Sequence, residues 1–321
     1  MLKIKLPEIK NIKLPKLNLF SKSKVSLGIE VDYDYCRVCS LSLGEEGLIL
    51  PFMPFEFDIL EDKDQSGLIL KDELSKRSIN VKTANFSIPI SSTLYKNIKL
   101  PKASEKELKE AIEWNIKEDI ENLKASTIFD YAILSEEEDF LNIVVVITKL
   151  DAINRILAIA ESAGIEPDII DSVGTSLVNI ALLQKDKIKS HKEEKNICIV
   201  HIDRNDSFIL FSKDDIFLQP LDFDIKRYET LSMDDKEQEV VRLINEINYF
   251  FLTINEPKII YTSGYFIKFP EIKAYMQLKF SSRFILEDLD PIVALDIKYS
   301  GNFPLQLYST SIFLAYRGIE K

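Results

Sequence analysis

The chain has 321 residues, 46% hydrophobic and 29% charged, which is enough apolar material for two domains with their own cores and too much for wholesale disorder. Its 52 acidic residues outweigh 41 basic ones for a net charge of −11, which argues against nucleic acid as a partner. Three cysteines are too few for a disulfide framework, and there is neither a signal-peptide core nor an apolar run near the ~20 residues that span a bilayer, so a cytoplasmic location is expected.

Residues 1–24 form a segment of their own, with seven lysines, one glutamate and the repeat Ile4-Lys5-Leu6-Pro7, Ile12-Lys13-Leu14-Pro15. Pro7 and Pro15 exclude one continuous helix. The segment reads either as a flexible tail or as a basic strip on an anionic membrane, where each lysine contributes about 1 kcal/mol near the surface.

Next comes a predicted hairpin, with strands at 25–31 and 36–43 around the acidic turn Asp32-Tyr33-Asp34-Tyr35. Val25, Leu27 and Ile29 alternate with Ser26, Gly28 and Glu30, which predicts a strand with one face in the core. Cys36 and Cys39 match C-x-x-C, but on a strand they face opposite sides and make no redox pair. With only His191 and His201 in the chain, a zinc site is not expected.

Residues 46–57 read as irregular or strand-like, 71–78 as a short helix and 83–90 as a strand. Ser104-Glu105-Lys106-Glu107 is a capping box that opens a helix, with Leu108, Ala111, Ile112, Ile116 and Ile120 as its apolar stripe and Trp114 partly off it. Strands follow at 129–134 and 141–148. A helix is predicted at 151–163, with Asp151 as N-cap and Gly164 just past its end, and another at 171–184. Residues 185–195 read as a charged linker.

A second hairpin, 197–211, repeats the first around Asp203-Arg204-Asn205-Asp206, and a helix is read at 239–254. Two such hairpins, one early in each half, resemble the phosphate-binding hairpins of the actin-like ATPases. That resemblance implies a duplicated, ribonuclease H-like α/β fold in two lobes: a first lobe at 25–190 carrying an inserted α+β subdomain at about 86–150, and a second lobe at 191–321. Gly28-Ile29-Glu30-Val31-Asp32 stands where the superfamily has G-I-D-I-G, with Arg37 near its lysine. His201-Ile202-Asp203, followed by Ser207, stands at the second D-I-G.

Order and spacing narrow the resemblance to the type IV pilus assembly proteins of the PilM family. The pertinent stretches are the capped helix through Ile120, Phe129-Asp130-Tyr131, and Ala163-Gly164-Ile165-Glu166-Pro167 with Asp171. They continue with Glu246-Ile247-Asn248-Tyr249-Phe250-Phe251, Ile259 to Gly264, and Phe313-Leu314-Ala315-Tyr316-Arg317. Four family glycines are replaced, by Asp32, Asp203, Ser263 and Phe313. Glycine in such turns lets backbone N–H groups approach a phosphate. An aspartate adds a Cβ and, at ~4 Å and an effective dielectric of about 20, on the order of 4 kcal/mol of repulsion.

The resemblance implies a non-catalytic adaptor at the inner face of the cytoplasmic membrane, in a pilus or type II secretion-like machine. It would capture the cytoplasmic N-terminus of a PilN-like bitopic membrane protein and need no cofactor. Self-association is left open. The alternative is an ATP-binding switch using Mg²⁺. For either reading the degenerate site comprises Gly28, Glu30, Asp32, Arg37, Asp203, Ser207, Glu246, Ser263 and Gly264, with Glu30, Asp203 and Asp206 left for Mg²⁺ or water and Glu246 at a ribose-facing position. A small-molecule kinase lacks an identifiable base.

Overall fold

A hairpin of alternating apolar residues opens the described chain. The structure, a computed structural model, describes residues 25–319 except 193, 195, 255, 281 and 282. The basic segment 1–24, with its expected role at an anionic surface, lies outside the described residues. The chain divides into two compact units: Met1–Ser176 with Asp214–Ile216 and Thr310–Lys321, and Leu177–Lys213 with Phe217–Ser309. The division falls at Ser176, not at the expected 190, and the C-terminal residues belong with the first unit.

In the first unit β1 (Ser26–Val31) pairs antiparallel with β2 (Tyr35–Gly44), from Ser26↔Leu41 to Val31↔Cys36. Then follow β3 (Gly47–Ile49), β4 (Phe55–Asp58), α1 (Lys63–Lys76) and β5 (Thr83–Ile88). The helix α1 starts eight residues before the predicted one because Asp62 caps it, its carboxylate accepting the Gln65 N–H at 2.9 Å.

A strand the sequence reading missed, β6 (Thr93–Pro101), leads into α2 (Glu105–Asn115), α3 (Lys117–Leu123), β7 (Thr127–Glu136) and β8 (Phe140–Lys149). These elements build a separate three-stranded sheet, ordered β6-β8-β7, whose apolar face packs on Leu108, Ile112 and Ile116. The inserted subdomain is therefore narrower than 86–150, since Phe86 sits in the main sheet. The capping box is present: Ser104 Oγ accepts the Glu107 N–H, and Glu107 Oε2 accepts the Ser104 N–H at 3.0 Å. The single predicted helix breaks at Ile116, which ends α2 and starts α3. Trp114 points outward and is largely exposed.

The unit continues with α4 (Leu150–Ala163) and β9 (Glu166–Ser172), and the chain passes into the second unit within α5 (Val173–Lys187). Two predictions need correction here. The N-cap of α4 is Lys149, with no side-chain bond, and Asp151 lies in the first turn; Gly164 does end the helix, with φ 75°. Residues 171 and 172 end a strand parallel to β5, and the helix begins only at Val173. The expected linker is partly helix, since α5 runs to Lys187.

The main sheet is ordered β3-β2-β1-β5-β9, with β4 pairing β2. Its core packs Leu27, Ile29 and Val31 against Leu70 and Leu74 of α1 and Ile156 and Ile159 of α4. The one-face prediction for β1 is overturned, because all six of its residues are buried. Cys36 and Cys39 on β2 are buried free thiols whose pKa burial drives up, so they are unreactive.

The second unit contains β10 (Ile197–Ile202), β11 (Ser207–Ser212), β12 (Ile216–Pro220), α6 (Ile225–Thr230), α7 (Met233–Phe251), β13 (Ile259–Gly264), α8 (Pro270–Phe280), β14 (Ile285–Asp288) and α9 (Pro291–Leu295). Its sheet order, β12-β11-β10-β13-β14, reproduces the first in topology: an antiparallel hairpin, then two strands added in parallel. The two hairpins share a register, with Glu30↔Arg37 in one matched by His201↔Phe208 in the other. The C-terminal helix α10 (Ser309–Ile319) lies against β1 within the first unit. A Cβ on Gly28 would sit 2.0 Å from the Ser311 carbonyl oxygen and 2.6 Å from the Ala315 nitrogen.

Candidate functional site

Each hairpin turn is closed the same way. In the first, the Asp32 N–H donates to the Tyr35 carbonyl at 3.0 Å, and Asp32 Oδ1 accepts the Tyr33 N–H at 2.6 Å. In the second, the Asp203 N–H donates to the Asp206 carbonyl at 3.0 Å, and Asp203 Oδ1 accepts the Arg204 N–H at 2.7 Å. Both aspartates are buried, and neither has a positive φ. The carboxylates were expected to point at a phosphate position; instead each turns back onto the N–H of the next residue in its own turn. One backbone donor of each turn is thus already held by a fixed negative charge.

Arg37 is also placed differently from expectation. It is 1% exposed, with its guanidinium 3.7 Å from Glu30 and its Nε donating to Glu56 Oε2 at 2.7 Å. The three residues are cross-strand neighbours on β1, β2 and β4, so register alone assembles the cluster. The Tyr35 ring lies 4.4 Å from the guanidinium carbon. Glu30 and Arg37 therefore hold each other and Glu56 inside the unit. Glu56 escaped the sequence reading, although an acid between Phe55 and Phe57 in a short strand was a visible signal. The cation that does reach the first turn is Arg155 of α4, whose Nη2 donates to the Tyr33 and Leu60 carbonyls and Nη1 to Glu61.

Gly28 lies on the β1 face covered by α10. Its missing Cβ admits a helix, which is a packing reason and not a phosphate one. Phe313, expected to fill space near a nucleoside, is buried in α10 with its ring 6.0 Å from that of Tyr316. In the same unit Arg317 pairs with the wholly buried Asp171, whose other oxygen accepts the Thr175 hydroxyl. The sequence showed Asp171 and Arg317 only as separate residues 146 apart.

In the second unit, Ser207 Oγ donates to the Phe223 carbonyl at 2.6 Å, and Glu246 Oε2 accepts the Asp222 N–H at 2.9 Å. Both tie the stretch after β12 in place, and Glu246 is half-buried. Ser263 faces His201 across the β10–β13 ladder. Both side chains are buried, and neither Ser263 Oγ nor His201 Nδ1 has a hydrogen-bond partner; His201 Nε2 lies 3.5 Å from Asp203 Oδ2 and its ring stacks on Phe208 at 4.8 Å. Gly264 ends β13 with φ 77°, and a Cβ there would meet the Ile202 carbonyl oxygen at 2.2 Å. Among the described residues no group of three or more His, Cys, Asp or Glu side chains could hold a metal ion, and no helix is long and apolar enough to cross a membrane. In both turns the aspartate carboxylate already takes one backbone N–H, that of Tyr33 in the first and of Arg204 in the second.

Two units, each opening with such a hairpin and extending it by two parallel strands, define a two-lobed actin-like α/β fold. A chain of the PilM–PilN type IV pilus biogenesis complex shares that fold with a TM-score of 0.75 at 16% identity, over 92% of this chain and 99% of that one. The ethanolamine utilization protein EutJ from Carboxydothermus hydrogenoformans has a TM-score of 0.49 at 8% identity, over 91% and 89% of the two chains. The cytoplasmic domain of EpsL, an inner-membrane component of the type II secretion system of Vibrio cholerae, has 0.43 and 8%, over 74% and 82%. Neither of these two lower scores bears on function. No protein-family model matches the sequence, and no curated protein sequence is significantly similar.

Proposed function

We propose that this chain is a PilM-type adaptor of a type IV pilus assembly machine, stationed at the inner face of the cytoplasmic membrane by capturing the N-terminal peptide of a PilN-like membrane protein. The observation that carries the reading is the near end-to-end correspondence with a chain of the PilM–PilN complex. Peptide capture of this kind relies on main-chain pairing and side-chain pockets, not on nucleotide chemistry. In this reading the adaptor needs no ATP: both turns direct their own carboxylates at the N–H groups a phosphate would use, and Arg37 is committed to Glu30 and Glu56.

Two measurements on the full chain test the parts separately. Fluorescence anisotropy against N-terminal peptides of bitopic membrane proteins should show saturable binding, and failure of every candidate peptide refutes the adaptor role. A thermal scan with millimolar Mg-ATP should show no shift. A ligand at 100 times its dissociation constant stabilises by about 2.7 kcal/mol, which such a scan resolves readily, so a clear rise makes the chain a nucleotide-responsive switch.

A further inference from the structure

The single tryptophan of the chain, Trp114, stands on α2 with 78% of its surface exposed. Among the described residues its ring has no stacking, cation or hydrogen-bond partner. Leu108, Ile112 and Ile116 face the sheet, and helical spacing puts Trp114 on the opposite side. Across the bend at Ile116 the hydrogen bonding of α2 continues into α3: the Ile116 N–H donates to the Ile112 carbonyl and the Ile120 N–H to the Ile116 carbonyl, each at 3.0 Å. Glu110 and Glu118 therefore lie one turn to either side of Trp114, and Glu107 and Glu121 two turns. All four glutamates are exposed. Lys106 approaches Glu110 at 3.9 Å and Lys117 approaches Glu121 at 4.0 Å, and exposed pairs of this kind contribute little. Glu118 has no ion-pair partner among the described residues.

The charge on this face selects its occupant. Glutamates repel anionic lipid and nucleic acid, so a bare indole at the centre of a negative stripe suits neither. A cation suits both parts, and arginine suits them best, because its planar guanidinium stacks on an aromatic face and bonds a carboxylate through two N–H groups. Tryptophan and arginine are also the residue types most enriched in binding hot spots. We propose that the Trp114 face of α2 and α3 is a docking surface for an extended, arginine-bearing peptide segment of a partner protein. It draws on these two helices alone and does not rest on the adaptor reading.

Spacing sharpens the occupant further. Glu110 and Glu118 are eight residues apart, about 12 Å along the helix axis. In an extended peptide alternate side chains share a face, and positions i and i+4 are about 13 Å apart. Arginines at i, i+2 and i+4 thus meet Glu110, Trp114 and Glu118 in turn. Three adjacent arginines do not, since the middle one points away from the other two.

Because Trp114 is the only tryptophan, its fluorescence in the full chain reports this face alone. Titration with the synthetic peptide Gly-Ser-Arg-Ser-Arg-Ser-Arg-Ser-Gly should change the emission saturably and with strong salt dependence. The isomer Gly-Ser-Ser-Arg-Arg-Arg-Ser-Ser-Gly has the same composition and charge and should bind about fivefold more weakly or worse. By anisotropy with a fluorescein-labelled copy of the first peptide, Trp114→Ala should weaken binding by about fivefold. Glu110→Gln/Glu118→Gln should weaken it and flatten the salt dependence. Both variants should melt with the parent, since none of these side chains is buried. Equal affinity for the two isomers, or an unchanged affinity of Trp114→Ala, overturns the proposal and leaves only general attraction to an acidic protein. An emission shift on phosphatidylserine vesicles, or one that grows with protein concentration when no peptide is present, overturns it in favour of a lipid surface or a second copy of the chain.

Discussion

Replacing Gly28 with alanine separates a packing role from a ligand role. The added Cβ would lie 2.0 Å from the Ser311 oxygen, 2.6 Å from the Ala315 nitrogen and 2.9 Å from Leu314 Cβ. The two nearest atoms are backbone, so no rotamer change relieves the clash, and α10 must lift from β1. Overpacking of a core costs about 1–3 kcal/mol and sometimes more, and a clash with backbone belongs at the upper end. Taking about 3 kcal/mol, the transition of the first unit should fall by roughly 6–12 °C. Gly44→Ala is the control, because its Cβ would meet Gly47 O at an ordinary 3.5 Å. Differential scanning calorimetry can follow the two units as separate transitions, with the second expected to move less. If Gly28→Ala melts within error of Gly44→Ala, the helix does not rest on β1 as described. Trimming Leu314 to alanine should not rescue the variant.

Other perturbations probe separate links. Arg37→Met should cost about 3–5 kcal/mol by stranding Glu30 in the interior, and Arg37→Met/Glu30→Gln should recover part of it in urea denaturation; equal losses would refute the pairing. Ser104→Ala should cost about 0.5–2 kcal/mol at neutral pH, and an unchanged midpoint would misplace the helix start. Hydrogen bonds from the Ser104 hydroxyl and N–H hold the Glu107 carboxyl below its ordinary value, so its stabilising share is present above about pH 4.3 and is lost as pH falls through the lowered folded-state value. The Ser104→Ala penalty should accordingly shrink in acid, as read from denaturation midpoints across that range. Restoring glycine together at Asp32, Asp203 and Ser263 should free the turn N–H groups; if the triple variant gains no affinity for Mg-ATP by calorimetry, more than these carboxylates separates the chain from nucleotide binding.

Local chemistry in the sequence determined both hairpins, the Ser104 capping box and the Gly164 helix end, because alternation and capping act within a few residues. It also carried the duplicated order that marks the two-lobed fold. The first strand was misread as half-exposed because what covers its second face, α10, lies some 280 residues downstream. Asp171 was given to a helix because its partner Arg317 and the parallel neighbour β5 are invisible to a local window. The same holds for the site. The resemblance implied that glycines are replaced, but only the folded turns decided where the carboxylates of Asp32 and Asp203 point, and only strand register brought Glu56 to Arg37. Side-chain direction at a turn and pairing across strands depend on contacts remote in sequence, and these exist only once the sheets have formed.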